Sequence, residues 1–203
     1  MKKILTILAI MIMATTASVA QFGGRIGLDL AKFTGDWKDL YKTSAGLHLG
    51  LVYNFELADP ITLQPGVFYI QRNWKDAADN KIHSHHIEVP IVAKYNIEVA
   101  NDITIDPHVG PYFGFGFAGK NKDTDQKVFK KRSKQGMGVS NFDMGIQLGA
   151  GVTFSGVVYA GIDYEFGFRD NADFKDPLSV DPNKKIHAHN GMLMITCGVW
   201  LPD

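Results

Sequence analysis

The chain repeats a single pattern, an alternation of bulky apolar residues with small or polar ones at a period of two. In residues 46–57 the odd positions are Leu, Leu, Leu, Tyr, Phe and Leu, and the even positions are Gly, His, Gly, Val, Asn and Glu. This is the side-chain period of a β-strand, not of a helix. The alternation is clearest in residues 46–57, 87–97, 142–154 and 158–168. Weaker versions bring the predicted count to eight strands, and they cover residues 24–33, 61–72, 103–118 and 190–201.

Two of the weaker strands contain apolar residues on the face that is otherwise polar. Phe68 and Ile70 interrupt the third strand beside Pro65 and Gly66, and we interpret this as a β-bulge. Met192 and Met194 interrupt the alternation of the last strand in the same way. The register of these strands is therefore predicted less firmly than their existence.

The connections between the strands alternate in length. The tight turns cover residues 58–60, 98–102 and 155–156, and the long polar connections cover residues 34–45, 73–85, 119–141 and 169–189. A strand of ten residues, rising about 3.3 Å per residue at a tilt of about 40°, spans roughly the 25 Å of an outer-membrane apolar band. The sequence therefore predicts an all-β fold, an eight-stranded antiparallel up-and-down transmembrane β-barrel with short periplasmic turns and long external loops.

The composition of the two strand faces predicts which face lines the barrel. The polar face mixes glycines with charges of both signs, and we place it in the lumen: Arg25, Asp29, His48, Glu56, Arg72, Glu88, Lys94, Asp106, His108, Asp143, Asp163 and Glu165. The apolar face carries aromatics near the strand ends, as membrane interfaces favour: Tyr53, Phe55, Tyr69, Tyr95, Phe113, Phe115, Tyr159 or Tyr164, and Trp200. The alternative is a soluble lipocalin-like ligand-binding barrel, which would turn the leucine-rich face inward.

The N-terminus predicts export from the cytoplasm. Lys2 and Lys3 precede an apolar run at residues 4–13, and small residues end at Ala20. We interpret residues 1–20 as a signal peptide and residues 21–203 as the barrel domain. The 21 Lys and Arg residues balance 21 Asp and Glu residues, so no nucleic-acid partner is expected. The expected location is the outer membrane of a Gram-negative bacterium, where the protein is expected to be a monomer in contact with membrane lipid.

Several strand motifs resemble those of a known family. The sequences are LQPGVFYIQ at residues 63–71, IEVPIVAKY at 87–95, VGPYFGFGF at 109–117, FDMGIQLGAGV at 142–152 and YEFGFRDN at 164–171. They resemble the PorT-like outer-membrane β-barrel family of Bacteroidetes across essentially the whole mature chain. The resemblance implies an eight-stranded outer-membrane barrel, and we expect no cofactor. One branch of that family is tied to protein secretion, and most members have no assigned activity.

Histidines cluster before two of the strands and could in principle bind a metal. His83 and His85 precede the fourth strand, and His187 and His189 precede the eighth. Each His-x-His pair places two imidazoles on one strand face, which suits a transition metal. The two strands lie on opposite sides of an eight-stranded barrel, however, so ordinary loop histidines are the expectation and no metal site is predicted.

The third long connection is strongly basic. Six lysines and Arg132 face only Asp123 and Asp125 between residues 119 and 141. Such charge at the outer leaflet would attract lipopolysaccharide phosphates or an acidic envelope protein. The predicted anion- or partner-binding residues are Lys130, Lys131, Arg132 and Lys134. A solvated loop without a partner is the alternative.

We expect no catalytic site, although one group of residues resembles a catalytic triad. Ser84 lies among histidines and near Glu88, but adjacent strand residues point to opposite faces and cannot easily hydrogen-bond in line. The expected function is a non-enzymatic structural, adhesion or secretion- and assembly-associated envelope role. A lipid-modifying barrel enzyme is the alternative.

Overall fold

The chain forms strands joined by hairpins. The computed structural model describes residues 21–35, 42–76, 79–129, 138–170 and 187–201. The predicted signal peptide, residues 1–20, lies outside the described residues. Among the described residues, no helix has the length and apolar character needed to cross a membrane.

The strands form one closed antiparallel ring. They are β1 (Gln21–Gly35), β2 (Lys42–Ala58), β3 (Ile61–Lys75), β4 (Lys81–Tyr95), β5 (Ile97–Ala100), β6 (Ile103–Asn121), β7 (Phe142–Phe154), β8 (Val158–Gly167) and β9 (Ala188–Trp200). Each strand pairs with its sequence neighbour, except that β4 and β5 both pair with β6, and β1 pairs with β9 to close the ring. Because β4 and β5 are two parts of one wall strand interrupted at Asn96, the barrel has eight strands, as predicted.

The two ends of the barrel differ in the length of their connections. At one end two to three residues join β2 to β3, β5 to β6 and β7 to β8, and short turns of this kind mark the periplasmic end. At the external end one prediction was wrong. The expected loop at residues 73–85 is mostly strand, because β3 continues to Lys75 and β4 begins at Lys81. Beyond the apolar band the outward residues are polar, whereas Trp74 and Ile82 are apolar and buried on the inward face. The backbone ladder therefore continues after the outward face has stopped being apolar.

The assignment of the two faces is confirmed. The side chain of Leu49 is 56% exposed on the outer wall, and Ile91 and Ile146 share that face. The predicted lumen charges are buried, apart from Glu56 at the periplasmic end, which is exposed. A soluble barrel would bury these leucines and isoleucines, so the wall is the surface of a membrane barrel.

The lumen also contains an apolar layer, and this corrects the predicted bulge. β3 pairs with β4 without a register shift from Pro65 to Phe68. Phe68 and Ile70 point into the barrel and form a buried cluster with Met192 and Met194. The alternation is interrupted because the lumen accepts apolar side chains at this height.

Trp200, predicted for the membrane interface, lies inside the barrel instead, and of the two alternatives Tyr159 and Tyr164 it is Tyr164 that lies on the outward face. Tyr159 and Trp200 are 4% and 3% exposed. Tyr159 follows the inward parity of β8, and Trp200 ends β9 on its inward face. Both rings contact buried cations.

Candidate functional site

A cluster of four charged side chains lies in the external half of the lumen. Arg72 on β3 donates to Glu88 on β4 at 2.7 Å, to Asp143 on β7 at 3.0 Å and to Glu165 on β8 at 3.3 Å. Tyr112 donates its hydroxyl to Asp143 at 3.2 Å. All five side chains are buried, so one guanidinium ties four separate strands together with charge-assisted hydrogen bonds.

Two histidines form a second level of the lumen. His48 Nδ1 donates to Asp29 at 2.6 Å, and its Nε2 lies 3.1 Å from the hydroxyl of Thr196. His108 lies 2.6 Å from Asp163 through Nε2 and 3.0 Å from the backbone oxygen of Asp106 through Nδ1. Because both of its ring nitrogens face acceptors, both must carry hydrogen, and His108 is an imidazolium.

The periplasmic end is closed by cations and aromatics. The guanidinium carbon of Arg25 lies 3.8 Å from the ring centre of Tyr159 and 4.2 Å from that of Trp200. Lys94 lies 3.1 Å from the carboxylate of Asp106. These cation–π contacts explain why Tyr159 and Trp200 are inside the barrel, since desolvated Arg is stabilised by such ring faces.

The lumen holds little space. A cavity of about 30 Å³ is bordered by Arg25, Phe68, His108, Gln147 and Asp163. This volume accommodates about two water molecules. This cavity is too small for an organic ligand. A polar pocket of about 640 Å³ lies at the periplasmic mouth, where it borders Lys94, Asp106 and Trp200.

The start of the third connection covers the external end of the lumen. Residues 119–129 form a hairpin in which Val128 N donates to Gly119 O at 3.0 Å, and Val139 N then donates to Val128 O at 3.2 Å. Phe129 lies over Gly116, where a Cβ would come within 2.2 Å of the ring, so only glycine permits this contact. Val128 and Val139 complete a buried apolar cap with residues of other strands: Phe33, Trp74, Ile82 and Ala188.

The expectation that Ser84 and its neighbouring histidines cannot easily hydrogen-bond was wrong for His86. Ser84 Oγ lies 2.8 Å from His86 Nε2, because residues two apart on a strand share a face. Both side chains are buried below the cap, and the ring of Phe129 contacts His86 edge-on at 5.4 Å. Among the described residues, His86 Nδ1 has no hydrogen-bond partner, so the carboxylate that orients a catalytic histidine is missing.

The four candidate metal-binding histidines do not converge. His83 and His85 lie half-buried on the outer wall of β4 and contact Asn73 and Tyr69 at 2.6 Å each. At the other site, His187 contacts Asp170, and His189 contacts the backbone of Arg169. Within the described part of the chain, no group of three potential ligands could hold a metal ion.

The predicted anion-binding residues Lys130, Lys131, Arg132 and Lys134 lie outside the described residues. The described start of the same connection is basic as well. Lys120, Lys122 and Lys127 are exposed at the external rim, and Lys120 forms an exposed ion pair with Asp125 at 3.2 Å. The sequence pattern did not indicate that this segment pairs back onto β6.

The chain is similar to several solved outer-membrane structures. Neisserial surface protein A (NspA) is 14% identical, with 90% of this chain and 99% of that chain covered and a TM-score of 0.49. For the outer membrane enzyme PagL the identity is 14%, the coverage 88% and 99%, and the TM-score 0.48. Ail of Yersinia pestis, in complex with the heparin analogue sucrose octasulfate, is 14% identical, with 90% of this chain and 99% of that chain covered and a TM-score of 0.47. No curated protein matches the chain. The family described as "Outer membrane protein beta-barrel domain" matches residues 15–173.

Proposed function

Because the chain belongs to the outer membrane protein β-barrel domain family, we propose that it is a non-enzymatic envelope protein whose role is carried by its external loops. That role is structural, adhesive or associated with assembly or secretion. The protein is located in the outer membrane of a Gram-negative bacterium. The PorT-like resemblance of its strand motifs supports the secretion-associated variant of this proposal.

The filled lumen is the observation that supports the proposal. Arg72 and its three carboxylates occupy the external half, Arg25 lies between two aromatic rings at the periplasmic end, and the apolar cap covers the external mouth. Transport of a solute would require a path through all three. Purified protein in planar bilayers should therefore give no large steady open current, and a stable open conductance would contradict a role that leaves the lumen unused.

The basic third connection is the surface we propose for attachment. Substitution of Lys130, Lys131, Arg132 and Lys134 by Gln removes four cations from an external segment. Binding of the protein in vesicles to polyanion-coated beads should weaken, and added salt should weaken it in the wild type, because exposed charges are screened over about 8 Å at physiological ionic strength. Binding that changes with neither salt nor the four substitutions would contradict an electrostatic attachment role.

A lipid-modifying enzyme is the second candidate, and the contact between Ser84 and His86 is the observation that favours it. Ser84 is buried in the lumen and faces away from the lipid, which supports the non-enzymatic proposal. The test is mass spectrometry of lipid A after incubation with wild type and with Ser84→Ala. A mass change that depends on Ser84 would establish the enzyme, and an unchanged lipid with both proteins is the outcome we expect.

A further inference from the structure

A groove on the outer wall lies between the aromatic ends of β3, β4 and β6 and the hairpin at residues 119–129. We infer that this outer-wall groove binds the phosphate-bearing headgroup of lipid A in the outer leaflet. Its volume is about 970 Å³, and its lining includes Gln71, His83, His85, Phe117, Lys120 and Lys127. Lys120 and Lys127 begin the same connection that the proposed function uses, but they are not the four residues tested there, so either proposal can fail alone.

The backbone register places the groove on the lipid-facing side of the barrel. His83 pairs with Lys120, and His85 pairs with Ala118. Paired residues of antiparallel strands share a face, and His83 and His85 share theirs with the exposed Ile87. Lys120 is bridged in turn to Lys127 across the hairpin. The two lysines therefore lie beside the outer wall and not above the lumen.

The height of the groove matches the boundary of the membrane. Tyr95, near the periplasmic end of β4, is half exposed, and His85 lies ten residues further toward the external end. At about 3.3 Å per residue and a tilt of about 40°, this distance is roughly 25 Å, the height of the apolar band. His85 stacks on Tyr69 with ring centres 5.9 Å apart and lies 6.2 Å from Phe117, and these rings form an interfacial aromatic layer.

Polarity increases beyond this layer. Gln71 pairs with His85 at the level of the rings, and His83 lies two residues further out, where its Nδ1 donates to Asn73 Oδ1 at 2.6 Å. That bond directs the remaining ring nitrogen, Nε2, away from Asn73, and Nε2 has no partner among the described residues although it is shielded from water. Lys120 pairs with His83, and Lys127 is bridged to Lys120, so both lysines lie at this outer level. An inner level of aromatic rings with an amide, followed by an outer level of imidazole and two ammonium groups, is complementary to a lipid whose acyl chains lead to a phosphate-bearing headgroup.

The single carboxylate in the groove does not neutralise it. Asp125 is 3.2 Å from Lys120, but the two side chains are 83% and 62% exposed. Exposed pairs of this kind contribute about 0–1 kcal/mol and exchange readily for a stronger anion. Since the groove opens at the external end of the barrel, its lipid comes from the outer leaflet. In the outer leaflet of an outer membrane the lipid with acyl chains and phosphate is lipid A, and its two phosphates match the two lysines.

The test measures binding of lipid A to the purified barrel in detergent micelles by native mass spectrometry. The variant is Lys120→Gln with Lys127→Gln, and the matched control is Lys42→Gln, which removes a lysine that is 63% exposed at the same end. The double variant should bind bisphosphorylated lipid A about tenfold more weakly than wild type, because two charge-assisted contacts are lost. The control should bind as wild type does. Dephosphorylated lipid A should bind wild type and the double variant equally.

A second variant separates the apolar contact from the charges. Phe117→Ser should weaken binding of the phosphorylated and dephosphorylated lipids by the same factor, because the ring is 61% exposed and contacts no phosphate in this arrangement. Heat-modifiability on a gel verifies that each variant is folded. Wild-type affinity in the double variant would overturn the inference, and so would phosphatidylglycerol binding as tightly as lipid A, which would indicate a general anionic-lipid surface.

Discussion

Substitution of Arg72 by Met should destabilise the barrel strongly at neutral pH. The guanidinium is 3% exposed and is hydrogen-bonded to Glu88, Asp143 and Glu165. Removing one partner of a buried ion pair costs about 3–5 kcal/mol, because the remaining charge stays buried without compensation. The cost of leaving one carboxylate charged cannot exceed the cost of protonating it. A glutamate with an ordinary pKa near 4.3 takes up a proton at pH 7 at a cost of about 3.7 kcal/mol.

The same reasoning predicts how the loss depends on pH. At pH 4.5 protonation of a glutamate costs less than about 0.5 kcal/mol, so an orphaned glutamate can be neutralised cheaply and the destabilisation by Arg72→Met should fall to about 1–2 kcal/mol. Removing the carboxylate charges by substitution should reduce the destabilisation at pH 7 as well. The triple variant with Glu88→Gln and Asp143→Asn in addition to Arg72→Met should recover at least half of the loss.

The assay is urea unfolding of the barrel in lipid vesicles, followed by tryptophan fluorescence at pH 4.5 and pH 7. The matched control is Lys42→Met, which breaks an exposed pair with Asp79 and should change stability by less than about 1 kcal/mol. A loss for Arg72→Met no larger than that of the control, or a loss equal at both pH values, would refute the view that buried charge compensation stabilises this lumen.

Two further predictions concern the wall and the cap. Leu49→Arg should cost about 2–4 kcal/mol in the same urea assay, because it places a cation at the lipid midplane, whereas Asn96→Arg at the periplasmic end should cost less. Equal costs would mean that the faces are assigned incorrectly. Val128→Asp buries a charge in the apolar cap and should make the third connection sensitive to protease. The barrel wall should remain folded, as heat-modifiability on a gel will show. Protease protection equal to that of wild type would show that the cap does not order this segment.

The sequence predicted the wall of the barrel well because one physical requirement governs it. Every outward residue between the interfaces meets lipid, so alternation is strict wherever a strand crosses the apolar band, and Leu49 and Ile146 follow it. The lumen has no such uniform partner. Phe68 and Ile70 are inside because they meet Met192 and Met194 from another strand, and that pairing depends on barrel closure, which no local pattern encodes.

The candidate sites were harder to predict for the same reason. Trp200 resembles an interface aromatic by its position at a strand end, yet it packs on Arg25, which is distant in sequence. The contact between Ser84 and His86 could have been predicted from the strand period alone, since residues two apart share a face. The outer-wall groove depends on the pairing of Lys120 with His83 across β4 and β6, and this register is set by a bulge near His85 that has no signature in composition.

The pairing of β1 with β9 has a consequence for how the barrel is made. Gly23 pairs with Trp200 and Gly35 with Ala188, so the first strand is joined along its length to the last. Until synthesis has delivered β9, β1 presents an unpaired edge whose backbone groups cannot enter lipid unsatisfied. Bringing β1 and β9 together costs the loop-closure entropy of the whole intervening chain. Insertion must therefore wait for the complete polypeptide, and a chain that ends before β9 should remain outside the bilayer as a substrate for periplasmic chaperones and proteases.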